Sequence, residues 1–207
     1  MSFYENKLLP YFIDLACSAG PVMELRSRII PDAYGEVLEV GMGSAVNLAL
    51  YDPAKVTRVW GLEPSEGMRR KAQKNLAAAP VAVECLGLPG EAIPLPDNSI
   101  DCVVLTYTLC TIPDWKTALQ QMRRVLKDEG VLLFCEHGLA PDAAVQKWQK
   151  RLTPVWSKCA GGCHLDRDVE ALLSQAGFEI DAMETLYLDK APKIAGFMSI
   201  GRARKRL

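Results

Sequence analysis

Apolar residues gather along this chain in short runs that alternate with amphipathic stretches. Five runs of strand length, rich in β-branched and apolar residues, occupy 36–40, 56–62, 81–86, 100–106 and 131–136. Each is continuous enough for a strand buried on both faces. Helical patterns lie between several of them. Residues 65–79 open with Ser65, a helix-capping residue type, after Pro64. Residues 114–126 put Trp115, Ala118, Leu119, Met122, Val125 and Leu126 on one face, the i, i+3, i+4, i+7 spacing of an amphipathic helix. Short strands alternating with helices predict right-handed βαβ units: an α/β fold with a mostly parallel sheet and helices on both faces.

The end of the chain breaks that rhythm. A helix over about 141–152 is expected to stop before Pro154, and a loop, TPVWSKCAGGCHLDRD, leads into a second helix. Val169, Leu172, Leu173 and Ala176 form its apolar stripe, and Gly177 stands where a helix ends in a left-handed residue. Two strand-like runs follow, 178–188 and 194–201, joined by a short connection containing Pro192. So short a link implies an antiparallel pair closing one edge of the sheet. At the other end, Tyr4, Leu8, Tyr11, Phe12 and Leu15 recur at near-helical spacing. Residues 1–34 therefore read as a helical cap, either a lid over the sheet's carboxyl edge or a plain brace, on a core of residues 35–207. One domain is expected, because 207 residues fill a single core.

Charge and cysteine usage narrow the setting. A formal net charge of −1 implies no nucleic-acid partner, and the basic tail of Arg202, Arg204, Lys205 and Arg206 reads as a solvated end. Seven cysteines, an odd number scattered through apolar segments, point to free thiols in a reducing compartment. The start, MSFYENK, is unlike a secretory signal, and LLPYFIDLAC is short and carries Pro10 and Asp14. A cytoplasmic protein without stable membrane insertion is expected.

Chemistry first shows in GEVLEVGMGSAVNL, residues 35–48. Gly41 and Gly43 follow a buried strand and are expected to precede a helix, so that backbone N–H groups face a polar ligand. A dinucleotide fingerprint asks for a third glycine at position 46, where this chain has Val46. Glu39 ends the strand two residues before Gly41; it would repel a pyrophosphate and attract an ammonium or sulfonium. Glu63 ends the next strand 20 residues after Gly43, where a carboxylate can accept both hydroxyls of a ribose. Together these describe a site for a cationic nucleoside, S-adenosylmethionine being the common one.

With EVLEVGMGS, GLEPSEGM, GEAIPLPDNSIDCVV and MRRVLKDEGVLLFCEHG in that order, the chain resembles the class I S-adenosylmethionine-dependent methyltransferases of the ubiquinone-biosynthesis-like branch. The resemblance covers roughly residues 35–204. It implies a Rossmann-like, seven-stranded sheet with an antiparallel last strand. It also implies that Gly41 and Gly43 hold the methionine part, Glu63 with Pro64 the ribose, and the Gly90–Glu91 loop the adenine, leaving S-adenosylhomocysteine as product. Pro89-Gly90 replaces the branch's Asp-Ala before that glutamate, so backbone contacts to the adenine are expected in place of a side-chain bond. Ala45 stands where a glycine is frequent.

Methyl transfer requires in-line positioning and exclusion of water. Thr106 and Tyr107, ending the fourth strand in LTYTLCTIPD, are expected at the site, Thr106 against the cofactor and Tyr107 as a catalytic-site residue that shapes the pocket or bonds the ligand, or else as a packed aromatic. His137 and His164 are candidate bases near neutral pH. Cys159-x3-Cys163-His164 has loose metal spacing and no second ligand pair, so no metal site is expected. A minority reading has Cys110, Cys159 and Cys163 capture trivalent arsenic. The runs TYTLCTIPD and FCEHG and the pattern from Trp156 to Arg167 further resemble the animal membrane-associated thiol S-methyltransferases and their soluble bacterial relatives, whose apolar N-terminal anchor is expected to be missing here. The resemblance implies S-methylation of a small thiol such as hydrogen sulfide or methanethiol. The alternatives are C-, O- or N-methylation of a quinone, lipid amine or other small metabolite, and a non-catalytic nucleoside- or partner-binding protein.

Overall fold

A computed structural model describes residues 9–206. Helices α1 (Leu9–Cys17) and α2 (Gly20–Ile29) precede β1 (Gly35–Val40). Strand β2 (Val56–Leu62), helix α3 (Glu66–Ala77), β3 (Ala82–Leu86), β4 (Ile100–Thr106), α4 (Trp115–Val125) and β5 (Leu126–His137) follow. Then come α5 (Ala143–Cys159), α6 (Val169–Gln175), β6 (Phe178–Tyr187), one helical turn at Lys193–Gly196, and β7 (Phe197–Lys205). The strands lie in the order β3-β2-β1-β4-β5-β7-β6. The first five are parallel, and β7 runs antiparallel between β5 and β6. This is the Rossmann-like, seven-stranded sheet with an antiparallel last strand that the sequence implied.

Strand periodicity explains the two cores. Successive residues of a strand point to opposite faces, so Leu38, Val40, Leu105 and Phe134 pack with Leu119 and Met122 of α4 and Leu173 of α6. Val37, Val104 and Leu133 face the other way, against Leu25 and Ile29 of α2 and Ala72 of α3. Caps start the helices where expected: Ser65 accepts from the Met68 N–H, Asp114 from Thr117 and Asp168 from Ala171. Gly177 follows α6 at φ +84°. Chain order reverses between β1 and β4, and their carboxyl ends part there to leave a crevice.

Five expectations change. The start of the run 194–201 is a helical turn, Lys193–Gly196, and β7 begins only at Phe197. The helix expected after the glycine turn is a five-residue 3-10 turn, Val46–Leu50. Pro53 soon follows and keeps the residue before it out of the α region. Helix α5 does not stop before Pro154 but runs through it to Cys159. There the Thr153 hydroxyl donates to the Gln149 carbonyl at 2.9 Å, within the turn that the proline disturbs. Strand β5 begins at Leu126, five residues early, because Leu126 pairs with Ile100 across a register shift and Lys127 bridges to Asp101.

The cap also turns differently. Tyr11 and Leu15 point outward, 58% and 63% exposed. Leu9 and Ile13 face in, because Gly161, without a side chain, lets α1 approach along that stripe. Tyr4 and Leu8 lie outside the described residues, as does the side chain of Phe12. Helix α1 roofs the crevice, and α2 braces one face of the sheet.

Candidate active site

The crevice is a cavity of about 310 Å³. Four strand ends build its floor and walls. After β1, Gly41 and Gly43 turn at φ +71° and +59°, and the N–H groups of Gly41 and Met42 both donate to the Leu62 carbonyl at 2.9 Å. Only glycine fits at position 41, where a Cβ would meet the Thr108 side chain at 2.3 Å. After β2 comes Glu63, 7% exposed. Its Oε2 accepts the Gly43 N–H at 2.9 Å and its Oε1 the Ser65 N–H at 2.8 Å. Burial raises its carboxyl above the ordinary value against the pull of those two bonds. Each oxygen keeps a further lone pair for a ligand hydroxyl. Pro64, Gly90, Glu91, Thr106 and Tyr107 line the same cavity, as expected for a site at these strand ends.

Tyr107 is held at φ +56°. Its N–H donates to the Cys135 carbonyl at 2.9 Å, and the next two N–H groups, of Thr108 and Leu109, donate to Oε1 of buried Glu136 at 2.8 and 3.1 Å. Burial drives the phenol's pKa far above its ordinary value.

Three predicted residues lie elsewhere. Glu39 is 1% exposed and sits beneath the cavity rather than on its wall. Its carboxylate accepts from the Tyr51 hydroxyl at 2.7 Å and from Asn47 Nδ2 at 3.0 Å. Asn47 also donates to Thr106 Oγ1 at 3.1 Å and accepts from Arg26 at 2.8 Å. The expected acidic contact with the ligand is thus replaced by a relay: buried Glu39, Asn47, and the cavity-lining pair Arg26 and Thr106.

The two histidines are not on the cavity wall either. His137 Nε2 lies 3.2 Å from Cys163 Sγ, which also accepts from Trp156 Nε1 at 3.4 Å. His164 meets this cluster through its backbone, its N–H donating to the Cys110 carbonyl at 2.9 Å. No metal site was expected of Cys159, Cys163 and His164; the structure brings Cys163 together with Cys110 and His137.

Sequence reasoning missed Arg26, which is 5% exposed, lines the cavity, donates to Thr106 Oγ1 at 2.6 Å and lies 4.8 Å over the Tyr107 ring. A signal existed: Arg26 falls four residues after Val22, on the stripe that α2 buries. Cys17, which faces Arg26, was missed as well.

Residues 38–134 match the family described as "Methyltransferase domain". Thiol S-methyltransferase TMT1B of Homo sapiens is 35% identical over 169 residues, 78% of this chain and 68% of that protein. The chain belongs to the S-adenosylmethionine-dependent methyltransferases. The ubiquinone/menaquinone biosynthesis C-methyltransferase UbiE of Geobacter sulfurreducens is 34% identical over 138 residues, 64% of this chain and 52% of that protein. The chain thus spans about half to two thirds of these relatives' length. The YcgJ protein of Bacillus subtilis superposes with a TM-score of 0.68 at 14% identity, covering 90% of this chain and 98% of that one. An S-adenosylmethionine-dependent methyltransferase of Methanosarcina mazei gives 0.62 at 21%, covering 83% and 92%. At such identities the two structures speak for the methyltransferase fold alone. No helix among the described residues is long and apolar enough to cross a membrane.

Among the described residues, the titratable side chains on the methyltransferase's cavity wall are Cys17, Arg26, Glu63, Glu91 and Tyr107. The wall can accept hydroxyls, present backbone N–H groups and exclude water beneath α1. It offers no imidazole to take up a proton.

Proposed function

We propose that this methyltransferase binds S-adenosylmethionine in the cavity and methylates a small thiol, such as hydrogen sulfide or methanethiol. What carries this reading is the 35% identity to a thiol S-methyltransferase, together with a wall that holds no imidazole. Alcohol, amine and carbon acceptors need a base to take a proton as they react. A thiol with a pKa near 8.5 already supplies a few per cent of thiolate at neutral pH. Arg26 adds to this, because its buried guanidinium on the wall favours an anionic nucleophile.

The residues fit the cofactor on structural grounds: Gly41 and Gly43 turn the backbone along the cavity wall at φ +71° and +59°, and the Glu63 carboxylate stands beside that turn with one oxygen on the Gly43 N–H and the other on the Ser65 N–H. When bound, the cofactor supplies a methyl carbon activated by its sulfonium. Gly41 and Gly43 would receive the amino-acid part, Glu63 and Pro64 the ribose, and the Gly90–Glu91 loop the base. Thr106, fixed by Arg26 and Asn47, closes the floor, while Leu9, Ile13 and Cys17 of α1 keep water out. At about 310 Å³ the cavity stands at the lower end of the roughly 300–1,000 Å³ usual for ligand sites, so a nucleoside leaves room for only a small acceptor.

The similarity to UbiE supports a second reading, C-methylation of a quinone. One experiment separates them: release of S-adenosylhomocysteine by purified protein with sulfide, methanethiol, a quinol and a lipid amine in parallel. Turnover with the thiols alone is expected. Turnover with the quinol or amine alone would overturn the thiol reading. Cofactor binding without turnover on any acceptor would leave a binding role.

A further inference from the structure

We propose that Cys110, His137 and Cys163 form a three-ligand site for a thiophilic divalent metal ion, with zinc the ion whose chemistry fits best. The site lies outside the cavity wall and stands independently of the acceptor's identity. Its two sulfurs and an imidazole nitrogen all lie within 4.8 Å of one another. Tetrahedral zinc, with bonds of about 2.3 Å to sulfur and 2.0 Å to nitrogen, sets two thiolates about 3.8 Å apart and a thiolate and imidazole about 3.5 Å apart. The Cys163–His137 separation of 3.2 Å is already near that value, and the separations to the third ligand, Cys110, need to close by about 1.3 Å at most.

The donor types agree with this assignment. Two thiolates and one imidazole suit zinc and other thiophilic ions, and three protein ligands leave the fourth position open. Charge agrees as well. Cys110 is 3% exposed, and Cys163 Sγ sits against His137 Nε2 and Trp156 Nε1. A divalent cation displaces both thiol protons and leaves a neutral cluster, which removes the penalty of a buried thiolate pair.

Location gives the site a consequence. Cys110 follows β4, His137 ends β5, and Cys163 belongs to the loop between α5 and α6. That loop also carries Gly161, against which Leu9 and Ile13 of the roof pack. A metal ion here ties three separate segments together behind the cavity and fixes the surface on which α1 rests.

The test uses full-length, reduced, metal-free protein titrated with cadmium ion, followed by the thiolate-to-metal charge-transfer band in the ultraviolet. One equivalent is expected to bind with two thiolates. Cys110→Ser, Cys163→Ser and His137→Ala should each weaken binding at least tenfold, while Cys85→Ser and Cys159→Ser, at exposed positions, leave it unchanged. Zinc should raise the melting temperature of the wild type and not that of Cys163→Ser, whose fold is checked by circular dichroism. Loss of the band in Cys85→Ser or Cys159→Ser, or its persistence in the Cys110 and Cys163 variants, would show capture by surface thiols and overturn the site. No band from protein whose thiols titrate as reduced would overturn it equally.

Discussion

Replacing Glu63 by glutamine changes one atom, yet it should damage both the fold around the cavity and the affinity for S-adenosylmethionine. The two carboxylate oxygens accept from Gly43 and Ser65, one N–H each, at 2.9 and 2.8 Å. A glutamine amide has one acceptor and one donor, so either orientation sets an N–H against an N–H, at the glycine turn or at the start of α3. One buried N–H left without an acceptor costs about 1–3 kcal/mol. The ligand suffers too. The amide keeps one acceptor for two ribose hydroxyls, so Glu63→Gln should lose one hydroxyl–carboxylate bond of about 1.5–3 kcal/mol, about one to two powers of ten in Kd. Glu63→Ala removes both acceptors and should lose about twice that free energy.

Acidity should act through the same carboxylate. Burial holds it above the ordinary 4.5, so cofactor affinity should fall with decreasing pH earlier than for an exposed glutamate, and Glu63→Gln should lack that dependence. For folding the sign is opposite. A carboxyl raised in the folded state holds its proton more tightly there than in the unfolded chain. Its contribution to stability is therefore complete below about pH 4.5 and is lost as pH rises through the folded value. Calorimetric titration with S-adenosylhomocysteine, run beside denaturant melts, measures both effects. A folded Glu63→Gln variant whose Kd stays within fivefold of the wild type would refute the assignment of Glu63. Unchanged stability would refute the clamp.

Three further outcomes follow from the geometry. Gly41→Ala places a Cβ 2.3 Å from the Thr108 side chain at φ +71°. Left-handed strain and overpacking together should destabilise the fold by about 2–4 kcal/mol in denaturant melts, and a loss below about 0.5 kcal/mol would count against the close approach. Arg26→Ala leaves Asn47 Oδ1 and Thr106 Oγ1 without their cationic donor. It should lower the urea midpoint by the equivalent of about 3 kcal/mol with the m-value unchanged, and a neutral result would remove the relay to Glu39. In native protein, alkylation read by mass spectrometry should label exposed Cys85 and Cys159 well before the buried Cys102 and Cys135. Cys102 and Cys135, buried and with thiols pushed up to about 12 and 11, should label only on unfolding; labelling of Cys102 at the rate of Cys85 would contradict its burial.

Most of the fold was legible because its central strands, such as β1 and β4, are largely buried and therefore read as continuous apolar runs, whereas β3 and β6 are largely exposed. β2 and β4 coincide with runs 56–62 and 100–106 to the residue. The antiparallel closing pair followed from the short link around Pro192. The glycine turn and Glu63 were legible for a related reason: both sit at strand ends, and parallel strands bring their carboxyl ends to one edge. Glu39 sits just as near a strand end, but strand alternation turns it away from the face of Leu38 and Val40. Its partners, Asn47 and Tyr51, come from the short 3-10 turn and its end, where the sequence pattern indicated a helix.

One misread proline accounts for the misplaced cysteines. If α5 ended before Pro154, Cys159 and Cys163 would share a loop with His164 and their spacing would decide the grouping. Because α5 continues to Cys159, seven residues past the expected end, it advances about 10 Å further before turning. Cys159 then stays on the helix. Gly161 and Gly162, at φ +62° and +87°, reverse the chain and return Cys163 toward the sheet. What waits there is set by topology. Thr106 of β4 pairs with Cys135 of β5, so the segments that follow both strands emerge side by side, one carrying Cys110 and the other His137. Strand adjacency was predictable, and with it the meeting of Cys110 and His137. The third member depended on a helix that runs through a proline.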